Sequence, residues 1–225
     1  LAERPDSGVS DLARHTGSTK SQAFRILRTL EARGYVRKDP ETRTYALGYR
    51  PLFLAEHVER QAILLRSARP HMRALARQTG ENVHLIARDG LNSICIALEE
   101  SDQPLRLYAS VGRRGPLHAG GGSTVLLAYA SEELRAAVLA ERLETYTQKT
   151  ITDPDRLRAV LHTIRERGWH EADEDVDPGA YALSVPIRDH AGSVVAALSV
   201  AGPKSRLTDA ARDAHLEALR RAGLG

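Results

Sequence analysis

Val9-Ser10-Asp11-Leu12-Ala13-Arg14-His15-Thr16-Gly17-Ser18-Thr19-Lys20-Ser21-Gln22-Ala23-Phe24-Arg25-Ile26-Leu27-Arg28-Thr29-Leu30 is the stretch that decides the fold. It divides at Thr16-Gly17-Ser18. On the N-terminal side the pattern predicts a short helix over Val9–His15. Ser10 is its expected cap, Leu12 and Ala13 are its apolar residues and Gly17 is its stop. On the C-terminal side Ser18 is expected to cap a longer helix, about Thr19–Arg33. Its apolar residues Ala23, Ile26, Leu27 and Leu30 fall at i, i+3, i+4 and i+7, one stripe of an amphipathic helix. Gly34 ends it. Tyr35–Lys38 and Arg43–Leu47 read as two short strands around Asp39-Pro40-Glu41-Thr42. Helix, tight turn, helix, hairpin is the order of a winged helix-turn-helix. Upstream, Leu1–Ser7 reads as the tail of a helix closing in a polar turn, and a segment preceding Leu1 is expected because the chain does not begin with methionine.

A helix-turn-helix sends the N-terminal part of its second helix into the major groove. Here that part offers Lys20, Ser21 and Gln22, followed by Phe24, Arg25 and Arg28. Lys20 and Arg25 suit phosphate or guanine, Gln22 suits a bidentate pair with adenine, and Ser21 suits a phosphate. Ser10 on the first helix and Arg37, Lys38 and Arg43 on the hairpin complete the expected DNA face. The plainer reading is a solvated amphipathic helix and hairpin serving protein contacts. Charge favours DNA: from Leu1 to Gly48 nine Lys/Arg stand against six Asp/Glu, so the whole formal excess of +3 lies in the first fifth of the chain.

The remaining chain has room for a second, larger domain. The 225 residues are 42% hydrophobic and 27% charged, an ordinary globular balance. No apolar run approaches the ~18 residues of a membrane helix, so no membrane partner is expected. One cysteine, Cys95, excludes an internal disulfide and points to a reducing cytoplasm. An apolar linker helix is expected over residues 50–66, between a DNA-binding domain at 1–49 and a sensor domain at 67–225. The sensor begins with a helix over Pro70–Gly80. Alternation then predicts strands through Val83/Leu85/Ala87, Ile94/Ile96/Leu98 and Leu105/Leu107/Ala109. Gly112–Ser123 reads as loop, residues 124–140 and Pro154–Arg167 as helices, Ala180–Arg188 and Ser193–Ala201 as a hairpin, and Leu207–Ala222 as a closing helix.

Other residues invite chemistry without supporting it. The nine histidines form no His-x-x-x-His pair. His84 reads as a half-buried strand residue, and His162 and His170 as surface residues. The acidic run Glu171, Asp173, Glu174, Asp175, Asp177 reads as a solvated loop rather than a cation site. Ser184 and Ser199 lack a nucleophile elbow. No metal, cofactor or catalytic residue is expected.

The same residues resemble the IclR family of bacterial regulators. Val9-Ser10-Asp11-Leu12-Ala13 with Thr16-Gly17, then Lys20-Ser21, Arg25-Ile26-Leu27, Thr29-Leu30-Glu31 and Gly34-Tyr35-Val36 follow its DNA-binding motif. Gly80-Glu81-Asn82-Val83-His84-Leu85, Val111-Gly112-Arg113-Arg114, Pro116-Leu117-His118-Ala119, Thr150-Ile151-Thr152-Asp153 and Ala197-Leu198-Ser199-Val200-Ala201-Gly202-Pro203 follow its sensor. The resemblance covers nearly the whole chain. It implies an α+β protein: an N-terminal winged helix-turn-helix, a linker helix and a C-terminal GAF-like, antiparallel-sheet effector-binding domain. It also implies a homodimer, paired into a dimer of dimers, on a near-palindromic double-stranded operator beside catabolic genes.

The resemblance places the small-molecule effector between the sheet and the loop Ala119–Thr124. Leu107, Leu117, Gly120, Gly121, Gly122 and Ser123 are its expected contacts there, with Ala172, Asp173, Ala182, Ser184, Ser199 and Ala201 on the strands. The three glycines would let a ligand reach the backbone at a helix N-terminus, a natural carboxylate site. This chain departs from the family at Ser123, Thr124, Ala172, Ala182 and Ala201, mostly losing polar groups. A larger, more apolar effector follows, such as an aromatic acid. Two rivals stand beside this ligand-responsive regulator: a constitutive DNA-binding protein with a degenerate pocket, and a small-molecule hydrolase on the α/β domain.

Overall fold

The computed structural model describes residues 1, 2, 4–105, 107 and 110–223. They divide into two compact units, Leu1–Arg66 and Ser67–Gly225.

In the first unit, α1 (Val9–His15) and α2 (Lys20–Ala32) precede a two-stranded antiparallel hairpin, β1 (Val36–Lys38) and β2 (Tyr45–Leu47). Leu12, Leu27, Val36 and Tyr45 form its core, with Val9 and Leu30 packed against them. Two expected caps move by one or two positions. Gly8, not Ser10, precedes α1, and Ser10 is exposed inside the helix. Thr19, not Ser18, caps α2 through a capping box with Gln22. The buried stripe also loses one member: Ile26 is 56% exposed, because Ala23, Leu27 and Leu30 already fill the narrow face toward α1 and the hairpin. Leu1, Ala2 and Arg4–Ser7 are not helical; Ser7 bridges to Tyr45 instead.

The expected linker helix over 50–66 is two helices. α3 (Arg50–Gln61) ends at Ala62, whose ψ of 100° is extended, and α4 restarts at Ile63 and runs to Thr79. Pro70, read as a helix start, lies inside α4. Neither change was marked by a glycine or by an internal proline in α3.

The second unit is built on a six-stranded antiparallel sheet in the order β5-β4-β3-β8-β7-β6. The strands are β3 (Asn82–Asp89), β4 (Asn92–Glu99), β5 (Arg114–Pro116), β6 (His170–Asp173), β7 (Ala180–Arg188) and β8 (Val194–Pro203). Strand alternation separates the faces. Ser184 turns toward α5 (Gly121–Ala128), whereas Val185 turns toward α8 (Asp209–Gly223). Beyond α5 lie α6 (Glu132–Ala140) and α7 (Pro154–Arg167); Val125, Leu127, Val138, Leu157, Leu161 and Ile164 form the core of that layer. Asp153 caps α7 and Gly168, at φ 78°, closes it.

Several sensor expectations change. Leu107 lies outside any strand, and residues 106, 108 and 109 of the expected third strand lie outside the described residues. The strand beside β4 is β5, inside the segment read as loop. Residues 124–140 contain two helices, separated by Tyr129–Ser131. His170–Asp173, two charged residues in four, is an edge strand: it alternates buried His170 and Ala172 with half-exposed Glu171 and Asp173.

Candidate functional site

Two surfaces are candidates for function. The first is the exposed side of α2 and the hairpin. The capping box fixes the start of α2: Thr19 Oγ1 accepts from Gln22 N at 3.3 Å, and Gln22 Oε1 accepts from Thr19 N at 3.0 Å. Lys20, Ser21, Phe24, Arg25 and Arg28 all project into solvent. Gln22 is exposed too, but its amide oxygen serves the cap, so the bidentate adenine contact expected of it needs that cap to open. In the hairpin turn Asp39 Oδ1 accepts from Glu41 N at 2.8 Å and Thr42 N at 2.9 Å, which holds its carboxyl below the usual carboxylate range. Arg43 follows at φ 59° and is exposed, as are Arg37 and Lys38. The basic residues of this face carry no ion-pair partner among the described residues.

The second is a cavity of about 610 Å³ in the sensor unit. Its floor is the α5 side of the sheet, with His84, Ile86, Ser199, Ala182 and Ala201 in the central strands and Ala172 at the edge. Leu107 and Leu117 contribute apolar wall, and Gly120, Gly121, Gly122 and Ser123 form one end. Asn82 Nδ2 donates to Leu107 O at 2.9 Å and pins that wall. His118 is buried and its Nε2 meets Glu144 O at 2.9 Å, a structural bond that ties the 141–146 segment to the wall.

The glycines work differently from the sequence reading. Gly120 takes φ 88°, ψ 143° at the start of α5, a conformation reserved for glycine. Gly121 and Gly122 instead let α5 lie on the sheet. A Cβ at Gly121 would collide with Ser184 Oγ and sit 2.9 Å from Ala182 Cβ; one at Gly122 would sit 2.8 Å from Ile86 Cγ1 and 2.9 Å from Ser199 Oγ. Their missing side chains serve packing, while the backbone N–H groups of Gly121, Gly122 and Ser123 remain without a partner among the described residues, at the cavity end.

Two expected contacts are corrected. Asp173 alternates away from the cavity and its carboxylate lies 2.9 Å from Lys149 Nζ and 2.6 Å from Lys204 Nζ. Ser184 lies under α5, fully buried, with its Oγ 2.7 Å from Ser199 Oγ; the helix covers it. The acidic run is not all solvated: Asp175 turns inward, accepts from Gly120 N at 2.7 Å and lines the cavity. Burial raises its pKa above the usual carboxylate value. His170, expected at the surface, is buried, and burial lowers its pKa to about 4.

Sequence reasoning missed His84, Ser93, Cys95, Arg113 and Asp175 as cavity residues. The period-two pattern held a signal for His84, two residues before Ile86 on the same face. Cys95 is buried, its thiol donates to Ala97 O at 3.3 Å, and burial pushes its pKa to about 11, so it is a poor nucleophile.

Comparison with known proteins finds matches over both units. Residues 1–40 match the IclR helix-turn-helix domain, and residues 56–224 match the bacterial transcriptional regulator IclR C-terminal domain. The transcriptional regulator KdgR of Escherichia coli is 32% identical over 93% of this chain and 80% of its own length. The transcriptional repressor AllR of Escherichia coli is 33% identical over 90% of this chain and 75% of its own. A crystal structure of an IclR regulator from Alicyclobacillus acidocaldarius superposes with a TM-score of 0.91 at 26% identity, covering 99% of this chain and 90% of that one. An IclR homologue from Microbacterium hydrocarbonoxydans, solved with 4-hydroxybenzoate, superposes at 0.82 with 26% identity, covering 100% of this chain and 91% of that one. Matches at these levels over both units establish that this α+β chain belongs to the IclR family of bacterial transcriptional regulators, DNA-binding proteins that respond to small molecules.

Proposed function

We propose that this regulator reads a near-palindromic operator as a homodimer and responds to an organic acid larger than a simple oxo-acid, of aromatic size. The carrying observation is the cavity: about 610 Å³, with unpartnered α5 N–H groups at one end and Leu117, Ile86, Ala182 and Ala201 along it. A helix N-terminus stabilises a carboxylate through its free donors and its dipole. The volume falls within the ~300–1,000 Å³ of ordinary ligand sites, far more than a two-carbon acid fills. The relative bound to 4-hydroxybenzoate supports the same class.

Lys20, Ser21, Arg25 and Arg28 on α2 would meet the major groove, with Phe24 beside them, Ser10 on α1 toward the backbone, and Arg37, Lys38 and Arg43 reaching the flanking backbone or minor groove. Leu52, Phe53, Leu54 and Val58 leave large apolar surface exposed on α3, from 43% to 68%, which supports a two-fold interface there. A dimer of dimers acting on catabolic genes in the cytoplasm completes the reading, with the effector acting by its different affinity for two states of the assembly. The protein performs no catalysis in this reading.

Footprinting on the intergenic DNA upstream of its own gene tests it. Two protected half-sites related by a dyad are expected, lost together in Lys20→Ala/Arg25→Ala. Absence of any sequence-specific protection would overturn it.

A further inference from the structure

The effector reading gives no task to His84, a polar side chain of the cavity. His84 lies in β3, an interior strand, opposite Ser199 in the β3–β8 register. Its ring lines the cavity. Nε2 is sealed from solvent and has no hydrogen-bond partner among the described residues; Nδ1 is not sealed. An orphaned buried N–H costs more than an orphaned lone pair. That asymmetry favours the neutral tautomer with its hydrogen on Nδ1. Burial, helped by Arg113, holds the pKa to about 4, so the ring is an uncharged donor at neutral pH.

The neighbouring hydroxyls are paired with one another. Ser199 Oγ is 2.7 Å from Ser184 Oγ, and Ser93 Oγ is 2.7 Å from Ser123 Oγ. The floor and the helix end are also adjacent, since a Cβ at Gly122 would stand 2.9 Å from Ser199 Oγ. Side chains directly opposite across paired strands stand ~5 Å apart at Cβ. His84 is also two residues along β3 from Ile86, which stands beside Gly122, so it lies about 6–7 Å along the strand from that contact.

We propose that His84 is a specificity-determining residue of this cavity, whose Nδ1–H donates to an uncharged oxygen, a hydroxyl for example, carried by the effector away from its carboxylate. The effector is then a hydroxyl-bearing organic acid rather than a plain one. The inference rests on the effector reading for the place of the carboxylate. A site built to bond a ligand oxygen rejects the analogue that lacks it, because the buried group is left unpaired.

Calorimetric titration of the full chain with benzoate, its three monohydroxy isomers and phenol tests this. At least one hydroxybenzoate should bind about tenfold more tightly than benzoate, the size of one net hydrogen bond. His84→Phe should reduce that ratio to under about threefold with benzoate affinity little changed, and His84→Gln, which keeps an N–H donor, should retain part of the preference. Benzoate binding with no preference for any hydroxy isomer, or a preference that survives His84→Phe, overturns the role of His84 and leaves the carboxylate site standing. Phenol binding that depends on His84, with no benzoate binding, does the reverse. Binding of none of the five overturns both. Should His84→Phe fail to fold, histidine-selective ¹⁵N spectra of the wild type decide: a neutral Nδ1–H ring whose resonance moves with the hydroxybenzoate supports the assignment, and an Nε2–H ring refutes it.

Discussion

Replacing Gly121 by alanine tests whether this glycine serves packing. Its φ is not in the left-handed region, so alanine meets no backbone strain there. In a helix alanine is favoured over glycine by up to ~1 kcal/mol. Against that gain, the new Cβ collides with Ser184 Oγ and stands 2.9 Å from Ala182 Cβ and 3.2 Å from Ala182 O. Ala182 is held mid-strand, paired to Ala201 on one side and Ala172 on the other, and cannot withdraw. Ser184 can turn only by breaking its bond to Ser199, ~1 kcal/mol. Overpacking adds ~1–3 kcal/mol. The net expectation is a loss of about 1–3 kcal/mol. Urea unfolding followed by Trp169, the single tryptophan, reports the sensor unit. Gly121→Ala/Ser184→Ala should recover part of the loss, because one collision is removed. A Gly121→Ala protein as stable as the wild type would refute the packing argument and return the glycine to the ligand.

Three further outcomes follow. His84 and His170 both have native pKa values lowered from 6.5 to about 4, so the unfolded chain binds their protons first as pH falls. The sensor should lose stability between about pH 6.5 and 4, on the order of 2 kcal/mol per histidine at pH 5; a flat denaturation midpoint between pH 7 and 5 would contradict this. Arg25→Ala should weaken operator binding by ~1–3 kcal/mol with the fold intact, read by anisotropy at fixed salt; unchanged affinity removes Arg25 from the base contacts. Asp175→Asn should tighten benzoate binding severalfold by removing a carboxylate beside the anion subsite, whereas weaker binding would make Asp175 a ligand partner.

The DNA-binding unit was legible because its signals are local. Helix periodicity, the Thr16-Gly17 turn and the hairpin all lie within about 40 residues, and errors amounted to cap positions, Ile26 and the helix tail expected over Leu1–Ser7. Gln22 shows the limit: a side chain read as a base contact also closes a capping box, and only geometry shows which atom is engaged. In the sensor, β7, β8, α7 and α8 were readable from alternation and caps. β6 was not, because the sequence His170-Glu171-Ala172-Asp173 has too little apolar character to alternate visibly; it forms through pairing with β7. Without that strand, nothing in the sequence separates Asp173, which faces away from the cavity, from Asp175, which lines it. For Gly121 and Gly122, whether ligand or sheet occupies the space beside them depends on strands roughly 35–80 residues away. The helix break at Ala62 has no sequence marker, since neither glycine nor proline stands there.

The most direct test of a ligand-responsive regulator is an anisotropy titration of the full chain against labelled duplex from its own upstream region, at fixed salt, with and without benzoate and the hydroxybenzoates. Coupling between effector and operator is expected to shift affinity by ~5–150-fold. The shift should disappear in Leu117→Trp, which fills the cavity beside α5. Specific DNA binding that none of these acids moves would contradict the account.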